Sequence, residues 1–93
     1  MSLANHAIPR IPRGVRLHHD TVRSRWVLLA PERTISLDPI GHAILLEIDG
    51  QRSFSGIVST LAEKYEAPAE QIRADAAEYI CGLMDRRILE LAP

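Results

Sequence analysis

The 93 residues are enough for one small domain, near the size at which folding buries only about 60–65% of the extended surface. A hydrophobic content of 46% beside 25% charged residues argues against disorder, and no apolar run approaches the roughly 20 residues of a membrane span. The net charge of −1 is unevenly spread: residues 1–35 balance at +4 and residues 36–93 at −5, which excludes a uniformly basic nucleic-acid binder.

Cys81 is the only cysteine, so the chain forms no internal disulfide and supplies no three-cysteine iron–sulfur ligation. Met1-Ser-Leu-Ala-Asn opens no signal peptide, and a cytoplasmic location is expected. The six arginines at 10, 13, 16, 23, 25 and 33 admit two readings. They are either a solvated strand face or a basic patch that meets an acidic peptide or protein partner.

In chain order, Pro9 and Pro12 predict an extended arm over residues 1–12, because proline disfavours helix at itself and at its predecessor. The domain proper then covers residues 13–93. Val15 and Leu17 alternate with Arg16 and His18, the period of a half-buried strand. A turn around residues 20–24 leads to Arg25-Trp-Val-Leu-Leu29, apolar and β-branched enough for a central strand. After a turn at residues 30–33, Thr34-Ile-Ser-Leu37 alternates again. Three successive strands with short connections predict an antiparallel meander with its third strand at an edge.

Three helices follow. Asp38 then Pro39 is a start signal, an N-cap oxygen before a proline at the first helical position. Ile40, Ala43, Ile44, Leu45 and Ile48 form its apolar stripe, which Asp49-Gly50 ends. Ser53 caps a second helix with Phe54, Ile57, Val58, Leu61 and Tyr65 inward, broken at Ala67-Pro68. The third spans about 69–86, and residues 88–91 trail it. The order is βββααα, an α+β fold with winged-helix-like character.

The third predicted helix has a wide apolar face. Ile72, Ala76, Tyr79 and Leu83 share a narrow arc, and Ala77, Ile80, Cys81 and Met84 extend it by roughly a third of a turn. Either the arm or the tail covers the second edge, or a groove between this helix and the edge strand awaits a peptide. The edge strand has no proline or lysine to discourage pairing, so an extended peptide can add to it as a fourth strand.

Catalytic and metal-binding patterns are weak. His18 and His19 are adjacent on a strand and point to opposite faces, so they do not chelate together. Asp20, Asp38, Glu47 and Asp49 read as turn, cap and helix-end residues rather than an acid/base pair. Cys81 lacks a cationic helper at helical spacing and reads as a structural thiol. No cofactor or metal is expected, and no enzymatic activity.

The run Arg13-Gly-Val-Arg-Leu, with Asp20, Trp26 and Leu28-Leu-Ala-Pro-Glu-Arg33, continues through Leu37-Asp38 and Gly50 to Leu91. Over residues 8–91 this pattern resembles the PqqD family of pyrroloquinoline quinone (PQQ) biosynthesis. The resemblance implies a peptide chaperone or adaptor that binds the ribosomal precursor PqqA. It would present PqqA to the radical S-adenosylmethionine enzyme PqqE for Glu–Tyr cross-linking. It also implies that the peptide lies along the third strand and third helix, so the expected contacts are Arg33, Thr34, Ile35, Ser36, Leu37, Arg73, Ala77, Ile80 and Met84. Arg33 and Arg73 are natural contacts for acidic precursor residues. Arg13, Asp20, Trp26 and Glu32 are signature positions that serve either folding or the partner-enzyme interface.

Architecture alone supplies the alternative, a winged-helix-type DNA-binding regulator. Glu70, Asp75, Glu78 and Asp85 on the third helix would repel phosphate, so no nucleic-acid partner is expected, and no membrane either. The chain is compatible with a monomer or a homodimer.

Overall fold

Strand alternation at residues 16–36 is realised as a meander in the computed structural model, which describes residues 3–93. The expected arm began at Met1; Met1 and Ser2 lie outside the described residues. Strand β1 (Pro9–Arg10) precedes β2 (Arg16–Asp20), β3 (Arg25–Ala30) and β4 (Arg33–Ser36). Helices α1 (Pro39–Leu46), α2 (Phe54–Lys64) and α3 (Ala69–Asp85) follow, and β5 (Glu90–Leu91) closes the order.

The sheet order is β2-β3-β4, antiparallel throughout, with Leu28 opposite both Leu17 and Ile35. Leu28, fully buried, joins a core cluster with Leu45, Phe54, Ile57, Val58, Ile80 and Ile88, each no more than 1% exposed. Burying apolar side chains of this size stabilises by about 1.5–3 kcal/mol each. The three helices therefore pack on one face of the meander, the expected α+β arrangement.

The two expected caps form. Asp38 Oδ1 accepts from the Gly41 amide at 2.7 Å with Pro39 in the first turn, and Ser53 Oγ accepts from the Gly56 amide at 3.2 Å. Each satisfies one amide that the helix start would otherwise leave bare.

The arm and the tail are paired with each other. β1 and β5 form a second, two-stranded sheet, Pro9 opposite Leu91 and Arg10 opposite Glu90, reinforced by an Arg10–Glu90 ion pair at 2.5 Å. The Asn5 and Ala7 carbonyls accept from the Ser55 and Phe54 amides at the start of α2. Ile88 and Leu89 are buried in the core, and Leu3 packs against it. Of the two readings of the wide face of α3, the covering arm and tail account for its second edge. Among the described residues no helix is long and apolar enough to cross a membrane.

Candidate functional site

The free side of β4 is built from backbone. Leu37 N–H donates to the Trp26 carbonyl at 3.0 Å, so antiparallel alternation turns residues 33, 35 and 37 toward β3. The N–H and C=O groups of Thr34 and Ser36 then face outward, where the sheet has no further strand. Thr34 and Ser36 expose their side chains, while Ile35 and Leu37 are half-buried against the core.

Following β4 in the chain, the start of α1 and the α3 helix line a groove of about 370 Å³. Asp38, Ile40, Gly41 and Ile44 form one wall, and Asp75, Glu78, Tyr79, Gly82, Leu83 and Arg86 of α3 form the other. The Arg33 guanidinium donates to the Arg86 carbonyl at 3.4 Å, which sets the start of β4 against the end of α3. Burial, with the Asp38 charge adding to it, pushes the Tyr79 phenol above its ordinary range. A second, apolar cleft of about 320 Å³ continues from Ile40 and Ile44 to Leu61, Tyr65 and Ile72.

The structure brings Arg33, Thr34, Ile35, Ser36 and Leu37 to this edge. It does not bring the four expected α3 residues there. Ile80 is fully buried and Ala77 is buried in the core. The Arg73 guanidinium lies 5.8 Å from the centroid of the Phe54 ring and bonds to Asn5 Oδ1. Met84 is half-buried beside the arm and tail, near Ala7, Ile8 and Leu91. The α3 residues along the groove follow the next stripe round, at 75, 79, 82 and 86. One sequence signal marks it: Gly82 stands inside a 17-residue helix, where glycine costs about 0.5–1 kcal/mol relative to alanine.

Three of the four signature positions, Asp20, Trp26 and Glu32, make local contacts or hold a turn. Asp20 Oδ1 accepts from the Val22 and Arg23 amides at 3.1 and 3.2 Å and shapes the β2–β3 turn. Glu32 holds φ +61° in the β3–β4 turn. Trp26 stacks on His42 of α1 at 4.6 Å and meets its cross-strand partner His19 at 4.9 Å. Arg13 is exposed ahead of Gly14, whose φ of +95° suits glycine. Among the described residues, no three His, Cys, Asp or Glu side chains are placed to hold a metal ion.

Residues 25–89, which contain β3, β4 and all three helices, match the family described as "Coenzyme PQQ synthesis protein D (PqqD)". The chain belongs to the PqqD family. The "PqqA binding protein" of Rhizobium meliloti (strain 1021) is 42% identical over 89 residues, 96% of this chain and 91% of that protein. The "Bifunctional coenzyme PQQ synthesis protein C/D" of Methylorubrum extorquens is 46% identical over 83 residues, 89% of this chain and 22% of the longer protein. The solution structure of the PqqD truncation of Methylobacterium extorquens PqqCD matches with a TM-score of 0.81 at 43% identity, covering 96% of this chain and 95% of that one. That PqqD represents a functional and stand-alone recognition element for ribosomally synthesized and post-translationally modified peptides. The crystal structure of PqqD from Xanthomonas campestris matches at 0.61 and 39% identity, over 97% of this chain and 100% of that one. The PqqD family thus shares this chain's meander and its three helices.

Proposed function

We propose that this protein binds a PqqA-type precursor peptide by strand addition along β4 and presents it to PqqE in PQQ biosynthesis. It acts in the cytoplasm as an adaptor, with no cofactor and no catalysis of its own. The observation that carries this reading is the unpaired edge of β4, where Thr34 and Ser36 turn their backbone groups outward. Main-chain bonds supply affinity in strand addition, and alternate side chains entering a pocket supply specificity. A relative named "PqqA binding protein", aligned over 96% of this chain, supports the choice of peptide.

In this reading Arg33, Thr34, Ser36, Tyr79, Gly82 and Arg86 touch the peptide. Ile35, Leu37, Ala77 and Ile80 support the groove from the core, while Arg73 and Met84 hold the arm and tail. Arg13, Asp20, Trp26 and Glu32 remain the surface offered to PqqE. The exposed carboxylates of α3 weigh against the DNA-binding alternative.

An NMR titration of labelled protein with the PqqA-type precursor tests the proposal. Saturable shifts at residues 34–37 and at Asp75, Tyr79, Gly82 and Arg86 are expected. A folded protein that shows no saturable shift would end the adaptor reading. Co-elution with PqqE, with and without peptide, tests the presentation step.

A further inference from the structure

The groove between the start of α1 and α3 changes sign along its length. From Arg33 the strand runs through Ser36 and Leu37 to Asp38, whose backbone is still extended. On the opposite wall α3 runs the other way, with Arg86 at the Arg33 end and Asp75 and Glu78 toward the Asp38 end. Two contacts fix that alignment. The Arg33 guanidinium reaches the Arg86 carbonyl, and Gly41, in the turn that Asp38 caps, packs against the Tyr79 hydroxyl.

Distances along the two walls agree. Arg33 and Asp38 are separated by about 17 Å at ~3.4 Å per extended residue. Arg86 and Asp75 are separated by about 16 Å at ~1.5 Å per helical residue. Among the described residues none of these side chains, nor that of Glu78, takes part in an ion pair; every ion pair formed lies elsewhere. Asp38 accepts from the Gly41 amide and Asp75 from the Gln71 side chain, so neither carboxylate is paired with a cationic side chain.

We propose that this groove selects its peptide by charge order. A lysine or arginine of the peptide sits beside Asp38, Asp75 and Glu78, and an aspartate or glutamate sits four to six residues away, beside Arg33 and Arg86. The occupant is an extended chain, because strand addition to the outward N–H and C=O groups of Thr34 and Ser36 would deliver it as one. The inference rests on the peptide-binding reading and adds what that reading leaves open: how one register and one chain direction are chosen. A peptide bound in reverse places like charges at both ends, and such juxtapositions exclude wrong arrangements more effectively than attraction rewards the right one.

The test is a binding matrix at low salt, read by fluorescence polarisation. The proteins are wild type, Asp75→Asn with Glu78→Gln, and Arg33→Gln with Arg86→Gln. Asp38 is left intact because it caps α1. The probes are the PqqA-type precursor, the same peptide with Lys and Arg replaced by Gln, and the same peptide with its carboxylates replaced by amides. Each doubly neutralised protein should bind the parent peptide about five- to tenfold more weakly, the size of a few partly exposed ion pairs. The Asp75/Glu78 variant should lose nothing further with the cation-free peptide, nor the Arg33/Arg86 variant with the anion-free one. Parent binding within twofold of wild type in both variants overturns charge-order selection and leaves strand addition standing. So do losses that simply add. Wild-type protein that binds no parent peptide overturns both.

Discussion

The hydroxyl of Tyr79 stands so close to Gly41 that a Cβ added there would lie 2.5 Å from the oxygen and 2.8 Å from the ring carbon bearing it. Asp38 Oδ1 would be 3.2 Å away on the same side. Gly41 thereby lets α1 and α3 approach across the base of the groove. Alanine at position 41 gains up to about 1 kcal/mol in helix propensity but overpacks a close contact, which costs about 1–3 kcal/mol. Gly41→Ala should therefore lower stability by about 1–2 kcal/mol in urea unfolding. In a Tyr79→Ala background the same change should be neutral or stabilising. Equal losses in both backgrounds would rule out the Tyr79 contact as the cause.

The same phenol gives the protein an alkaline sensitivity. Desolvation, then the neighbouring Asp38 charge, raises the Tyr79 pKa above 10.0. The folded state thus holds the proton more tightly than the unfolded chain. The resulting stabilisation is present in full below the unfolded pKa and is lost as pH rises through the folded pKa. Urea midpoints measured from about pH 8 to 11 should fall more steeply in wild type than in Tyr79→Phe, the curves separating above about pH 10. Parallel curves would contradict the assignment.

How legible each feature was depended on how local its cause is. Asp38-Pro39 and Ser53 announced their helices because a cap acts on amides two or three residues away. The meander was readable because the alternation of Leu17, Leu28 and Ile35 is a property of each strand alone. The β1–β5 pair was not, since two residues carry no period and Pro9 finds Leu91 only after the whole domain has folded. The α3 environment was less legible for a related reason. Periodicity shows that Ala77 and Ile80 are apolar, but not that the core buries them while Tyr79 meets Gly41 of α1. Trp26 was open between core and partner surface, and its stack on His42 needed the position of α1.

The sequence pattern places Glu47 at a helix end, and the structure buries it to 7% exposure. Its carboxylate accepts from Arg52 at 2.6 Å and from Lys64 at 3.5 Å, and both cations keep 42% or more of their side chains exposed. The two ends of this network are therefore unequal. Arg52→Ala leaves a buried carboxylate with only the longer Lys64 contact and should cost about 1–3 kcal/mol. Glu47→Met removes the buried charge and leaves both cations free to hydrate, so it should cost less than about 1 kcal/mol. Urea unfolding of the two variants gives the order directly, and a larger loss for Glu47→Met would refute the argument.

Gly82 separates stability from binding. An added Cβ at this position meets no heavy atom within 4 Å, so no packing demand explains a glycine inside α3. Gly82→Ala should raise stability by about 0.5–1 kcal/mol, because alanine loses less backbone entropy in a helix. The open space is accounted for if a bound peptide fills it. Gly82→Leu should then leave the thermal unfolding midpoint at or above wild type, yet weaken the precursor peptide by at least about tenfold, or 1.4 kcal/mol. The pairing of these signs matters, since a variant that misfolds loses both. Unchanged affinity in a well-folded Gly82→Leu protein would place the peptide away from this stretch of α3 and confine its contacts to the β4 edge.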